Sequence, residues 1–339
     1  GQPVEKPREL FWRVAYHIAK AEAAYGATDA KISAVAEEFY DLMATRRFMP
    51  NSPTLMNAGR RMGMLSACFV LPVDDSIEGI FDSIKATALI QKSGGGTGFD
   101  FSRLRPRGDQ VKSSGGTTEG PLSFLKVFSS ATNAIQQGAF RRGANMGMLR
   151  IDHPDVIEFI RVKDDRTQLT NYNLSVSVTQ EFLDRLAENP DQPHRVKNPR
   201  SGEVEDLVDA EGNSWTVGEV YELVYSHAWE SGEPGMIFID RINDANPTKH
   251  IGLMEATNPC GEQPLLPWEA CNLGSINVGS FVKGGAGGAP SLDEEAFKNT
   301  VTTCVRFLDD VVEANNYPLP QIREMCMGNR KIGLGVMGF

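Results

Sequence analysis

Cys68-Phe-Val-Leu71, a short apolar run, is followed by Asp74 and Asp75, then by Ile77, Ile80, Phe81, Ile84 and Leu89, and the stretch closes on Gly94-Gly-Gly-Thr-Gly98. The run reads as a buried strand. The acidic pair can cap a helix, the spaced apolar set is one helical face, and the glycines end it. Further along, a helix is expected around Leu122–Ile135, a short one over Pro154–Val162, and an alternating strand over Leu174-Ser-Val-Ser-Val178. Strand and helix take turns along the chain, which is the pattern of an α/β architecture.

Outside that core pattern, Leu10, Phe11, Val14, Ala15, Ile18 and Ala19 recur at helical spacing, and a second helix is expected from about Ala30 to Arg46. Residues 1–48 therefore read as an N-terminal helical segment, and residues 49–339 as the α/β part. Asn51-Ser-Pro-Thr54 breaks the chain between them. Asn189–Asp206 reads as a polar surface excursion and Lys163–Thr170 as a polar loop. Val217–His227 and Ser291–Asn315 read as helices, the latter with Ser291 and Glu294 at capping-box spacing, and Lys283–Pro290 as a glycine-rich loop. The closing segment, Arg330-Lys-Ile-Gly-Leu-Gly-Val-Met-Gly-Phe339, reads as a strand entering a turn, so the fold is expected to need more chain to close.

Composition narrows the function. A formal charge of −10 over 339 residues argues against a nucleic-acid coat, although Arg141-Arg142 can hold a small phosphate. The cysteines, Cys68, Cys260, Cys271, Cys304 and Cys326, form no CxxC and no zinc-site spacing with histidine. Their odd number and wide spacing argue against a secreted disulfide scaffold. No run is long and apolar enough to span a bilayer and no signal peptide is visible, so a cytoplasmic protein without metal ligands is expected. Cys304 and Cys326 read as core.

Neither glycine stretch, Gly94–Gly98 or Ser113-Ser-Gly-Gly-Thr-Thr118, matches a dinucleotide or P-loop motif. Tight turns explain both, and the second can also present N–H groups to a phosphate. The sharpest chemistry is in Asn258-Pro-Cys-Gly-Glu-Gln-Pro-Leu265. An amide, a thiol and a carboxylate at alternate positions face one side if the segment is extended, with a buried thiol beside a turn as the plainer reading. Ala270-Cys-Asn-Leu-Gly-Ser275 follows, and Cys68 lies far upstream in Leu65-Ser-Ala-Cys-Phe69. Two distant thiols can pair across a fold and cycle with a disulfide, or be two unrelated core cysteines.

These segments, with Asn51-Ser-Pro-Thr-Leu-Met-Asn-Ala-Gly59, Lys92-Ser-Gly-Gly-Gly-Thr-Gly98, Arg141-Arg-Gly-Ala-Asn-Met-Gly147, Tyr317-Pro-Leu-Pro320 and Gly333-Leu-Gly-Val-Met-Gly-Phe339, resemble in order the catalytic subunit of ribonucleotide reductases, the adenosylcobalamin-dependent class in particular. The resemblance implies the first part of a ten-stranded α/β barrel. It implies Cys260 as the thiyl residue that takes the ribose 3′ hydrogen, Glu262 as the base for the 3′-hydroxyl and Asn258 as a partner of the sugar hydroxyls. Cys68 and Cys271 would be the reductant pair that becomes a disulfide, and Ser52 and Ala67 would contact substrate. Asp75, Ser76 and Arg105 would bind a magnesium-bound dNTP or ATP effector, and Lys163–Asn171, with Lys163, Asp165, Arg166, Gln168 and Asn171, would pass its identity to the substrate pocket.

The partners implied are a ribonucleotide, a thioredoxin-like reductant, a second copy paired through the helix after Asp75, and a C-terminal half, on the same chain or a separate one. Two other readings use the same residues: a nucleotide-sensing half-barrel without catalysis, and a reductase whose radical comes from a metal-containing subunit. The set Cys68, Asn258, Cys260, Glu262 and Cys271 argues against the first, because a pure binder has no use for it.

Overall fold

The structure is a computed structural model that describes residues 4–111, 115–135, 143–284 and 289–339. Ser113, Ser114, Arg141 and Arg142, and the middle of the Lys283–Pro290 loop, lie outside the described residues. The chain divides into two compact units, Gly1–Cys68 with Glu269–Phe339, and Phe69–Trp268.

In the first unit the expected N-terminal helices form over Pro7–Ala19 and Asp29–Ala44. Thr28 caps the second, its hydroxyl accepting the Lys31 amide. Their apolar stripes pack with the helix Glu294–Ala314 around Val14, Ile18, Val35, Phe39, Phe307 and Leu308. Phe307 stands edge-on to Phe39 and to Phe48, at 4.9 and 5.3 Å between ring centres, a geometry favoured by the ring quadrupoles. The strand Ala270–Asn277 pairs antiparallel with Phe48–Pro50 and parallel with Ile332–Met337.

Two expectations change here. Asn51-Ser-Pro-Thr54 starts the short helix Ser52–Asn57, because proline in a first helical turn has no amide to lose. Asn51 caps it, its Oδ1 accepting from the Thr54 amide at 3.0 Å. Ser291 is in a strand paired with Val282–Lys283, and Asp293 caps the long helix instead.

The second unit is built on parallel strands. Gly96–Asp100, Asn145–Arg150, Tyr172–Val178 and Gly235–Phe238 pair in that order, each parallel to the next, and Cys68–Val70 flanks the first of them. Helices Ile77–Lys92, Pro121–Ile135, Val156–Arg161 and Val217–Ser231 lie between strands in the chain. The α/β class read from the sequence is the one that forms, and its strands are buried on both faces, as those of parallel sheets are. Ser76, not Asp74 or Asp75, caps Ile77–Lys92: its Oγ accepts from the Gly79 amide at 3.0 Å. Inside Asn189–Asp206 a small antiparallel pair, Arg195–Lys197 with Val204–Asp206, buries Val196.

Gly94–Gly98 does more than end a helix. Its last residues open the strand Gly96–Asp100, and a Cβ on Gly98 would stand 1.7 Å from the Thr257 carbonyl oxygen, one on Gly96 2.7 Å from Pro259 Cγ. The glycines form a bare groove in which the segment before Cys260 lies. Gly98→Ala should cost about 3 kcal/mol by overpacking. Gly328→Ala, with open space at its Cβ, should leave stability equal or slightly raised. Urea denaturation of both variants checks the pair.

Candidate functional site

In the second unit, Ala256–Thr257 and Pro264–Leu265 pair antiparallel, which makes Asn258–Gln263 the tip of a hairpin. The alternation expected to put Asn258, Cys260 and Glu262 on one side of an extended segment is therefore replaced by a turn. Gly261 takes φ +84°, a conformation that favours glycine, and its amide donates to the Asn258 carbonyl at 3.0 Å. Asn258 is buried, and its Oδ1 accepts from the Gln263 amide at 3.0 Å. Asn173 Nδ2 donates to the Pro259 carbonyl at 2.6 Å. Cys260 and Glu262 stand exposed at the tip. The loop is thus fixed from beneath while a thiol and a carboxylate are presented outward.

In the first unit, the structure brings Cys68 and Cys271 together. The Ala67 amide donates to the Cys271 carbonyl at 3.2 Å, so that amide is already engaged. Both cysteines are buried thiols. Burial, then the neighbouring Cys68 and Cys326, hold the Cys271 thiol well above its ordinary range, so it keeps its proton. Its Sγ donates to the Asn272 carbonyl at 3.3 Å. Cys326, read from the sequence as core, is buried but also belongs to this group. Its Sγ accepts from the Ala270 amide at 3.3 Å, and burial pushes its thiol up to about 11. Nothing in the sequence spacing connects Cys326 to Cys271. Cys304 is core, as expected. Ser52 is exposed in the first turn of its helix.

Asp75, Ser76 and Arg105 come together in the second unit, around a cavity of about 710 Å³ that Ile77, Phe124 and Arg200 also line. Arg105 clamps Asp75, its Nε donating to Oδ1 at 3.1 Å and Oδ2 at 2.8 Å and its Nη2 standing 2.8 Å from Oδ2, charge-assisted contacts that fix the guanidinium. Arg200, which the sequence reading missed, donates from Nε to Asp109 Oδ2 at 2.8 Å and holds that carboxyl down at about 2. Each guanidinium is paired with a carboxylate, so the cavity offers their remaining N–H donors beside an apolar wall rather than a free positive charge.

Lys163–Asn171 lies elsewhere in that unit. Lys163 pairs with Glu233 at 2.5 Å, and Lys163 and Arg166 line a separate cavity of about 220 Å³. Arg166 stands 3.8 Å from Glu230, both exposed. Asp165 accepts from the Thr167 amide at 3.0 Å and from Gln168 Nε2 at 3.1 Å, which closes a local turn. Asn171 is buried, donating to the Ser129 carbonyl at 2.8 Å and to Asn133 Oδ1 at 2.9 Å.

Among the described residues no helix is long and apolar enough to cross a membrane, and no group of three or more His, Cys, Asp or Glu is placed to hold a metal ion.

The comparisons with known proteins agree with one another. Residues 1–63 match the family described as ribonucleotide reductase, all-alpha domain, and residues 66–339 match ribonucleotide reductase, barrel domain. All of this chain aligns at 44% identity with 50% of a vitamin B12-dependent ribonucleoside-diphosphate reductase of Thermoplasma acidophilum. It aligns at 43% with 47% of a protein of the same name from Mycobacterium tuberculosis. At 31% it aligns with 34% of the ribonucleoside-diphosphate reductase subunit alpha of Chlamydia trachomatis. The chain spans about half the length, or less, of these curated relatives.

Proposed function

The chain belongs to the ribonucleotide reductase large-subunit family, and from that premise we propose that the protein carrying it reduces ribonucleoside diphosphates to 2′-deoxyribonucleotides by thiyl-radical chemistry with adenosylcobalamin. The observation that carries this reading is the pairing of an outward-facing thiol and carboxylate, Cys260 and Glu262, on a rigidly seated hairpin tip. The vitamin B12-dependent names of the relatives at 43–44% identity support the choice of radical source. An exposed Cys260 thiol fits a cofactor that approaches from outside the hairpin, and that cofactor, when bound, supplies the radical that oxidises the thiol.

From there this chain's residues do the work. Cys260, as a thiyl, takes the 3′ hydrogen and becomes a thiol. Glu262 takes the 3′-hydroxyl proton, and Asn258 holds the sugar hydroxyls. The 2′-hydroxyl leaves as water on a proton from the Cys68–Cys271 pair, whose second hydrogen goes to C2′ as the pair closes to a disulfide that a thioredoxin-like dithiol reopens. Glu262 returns its proton and Cys260 returns its hydrogen to C3′, which restores the thiyl. A Cys271 thiol kept protonated by burial suits a group that must deliver hydrogen. Ser52 and Ala67 are proposed at the substrate, and the Asp75–Ser76–Arg105 cavity as the seat of a magnesium-bound dNTP or ATP effector. Lys163, Asp165, Arg166, Gln168 and Asn171 are proposed to relay it.

The exposed Ile77, Phe81 and Leu89 on the helix after Asp75 support pairing with a second copy. A C-terminal half would complete the barrel that begins at about residue 49, after the helical segment 1–48, and the enzyme would work in the cytoplasm. The test is deoxynucleotide formation by the whole protein with adenosylcobalamin, a dithiol and each ribonucleoside diphosphate in turn, with and without dNTPs. Product whose base preference follows the dNTP added is the expected result; no product from folded, cobalamin-bound protein would overturn the reading.

A further inference from the structure

The second unit holds another cavity, of about 830 Å³, that shares only Asp75 with the residues given roles above. It opens where the parallel strands end: Asp100 and Arg150 close their strands, and Ser177 is next to last in its own. Carboxylates dominate its polar lining: Asp100, Asp240, Asp244 and Glu255 face it, beside an Asp75 already held by Arg105. The lining arginines are already committed. Arg103 bridges Asp74 and Glu255, and Arg150 holds Asp152 through two bonds of 2.8 Å. What is left is an excess of negative charge in a partly closed space. Burial pushes Asp100 up to about 6, and it raises Glu255 as well, as expected where counter-charge falls short.

A second observation points to a ligand. Ser177 lines the cavity at 0% exposure, and its Oγ has no hydrogen-bond partner. A buried hydroxyl left this way costs about 1–3 kcal/mol unless something in the cavity satisfies it. The remaining wall is aliphatic, from Ile239, Leu253 and Met254. Anionic ligands are disfavoured by the lining. A small divalent ion is poorly matched too, since the carboxylates are spread around the space rather than converging.

We propose that this cavity binds an aliphatic di- or polyamine. One ammonium group would pair with Asp100 and donate to Ser177 Oγ, the methylene chain would lie along Ile239 and Met254, and a second ammonium would reach Asp240 or Asp244. Asp75 aside, the site uses no residue of the proposed chemistry, so its test does not depend on turnover.

The experiment is calorimetric titration of the whole protein with spermidine and with putrescine, at fixed ionic strength, with magnesium chloride as the competing cation. Saturable binding is expected, weakened about tenfold by Asp100→Asn or by the double variant Asp240→Asn, Asp244→Asn, each of which removes one charge pair. Ser177→Ala should weaken it about threefold to tenfold through one lost hydrogen bond. Because Oγ bonds to nothing in the protein, Ser177→Ala should leave the urea midpoint unchanged or higher, which separates ligand loss from misfolding. The proposal is overturned by absence of saturable heat, by equal affinity in parent and Ser177→Ala, or by displacement of the amine by an equal concentration of magnesium.

Discussion

Cys260→Ala is expected to abolish deoxynucleotide formation, to below about one part in 10³ of the parent rate, because the proposed mechanism leaves no other group at the hairpin tip to carry the radical. The variant should still fold. The hairpin is held by the Gly261 turn, by Asn258 and Asn173, and by the groove over Gly96 and Gly98, all of which Cys260→Ala retains. An exposed substitution of this kind changes stability by about 0.5 kcal/mol or less. Chromatographic assay of product, beside ribonucleotide binding and a urea curve, checks all three. Turnover that survives in the alanine variant would remove Cys260 from the chemistry and with it the proposed mechanism.

The second large effect is structural. Glu269 is 1% exposed, with Lys331 Nζ at 2.6 Å and Asn329 Nδ2 at 2.7 Å. Lys331→Met strands that carboxylate in the interior, and breaking a buried pair from one side costs about 3–5 kcal/mol. The double variant Glu269→Gln, Lys331→Met should recover most of it, since no charge is then left unpaired. Denaturant midpoints of the two variants decide. A single-variant cost below about 1 kcal/mol would mean that water reaches the pair and screens it. The loss would be felt at the thiols, because Glu269 stands directly before Ala270 and Cys271, and the Lys331 carbonyl accepts from Cys271 Sγ at 3.9 Å.

Local signals made much of this fold legible. Helices over Pro7–Ala19 and Asp29–Ala44 follow from apolar spacing, and the strand Tyr172–Val178 from alternation and buried β-branched residues. The errors lay where a residue's role depends on something distant in sequence. Asp75 looks like a cap until Arg105 is seen to hold it, which leaves capping to Ser76. Ser291 and Glu294 have capping-box spacing, yet the strand partner Lys283 claims Ser291. The Asn258–Glu262 segment reads as extended because alternation is a local pattern, while the turn is imposed by the pairing of Ala256–Thr257 with Pro264–Leu265. Motif order singled out Cys68, Cys260 and Cys271. Only three-dimensional proximity adds Cys326 to the thiol group, or Asp100 and Ser177 to a shared cavity.

The bare groove over Gly96 and Gly98 also sets an order of events as the chain is made. Thr257 and Pro259 emerge from the ribosome roughly 160 residues after the glycines that receive them, and such non-local contacts form late. The strand Gly96–Asp100 must therefore keep its groove open through most of synthesis, and the hairpin can dock only once the intervening strands have paired. The exposed Cys260 thiol is thus among the last groups of its unit to reach its station, so a nascent chain stalled short of residue 257 has the groove but not yet the thiol.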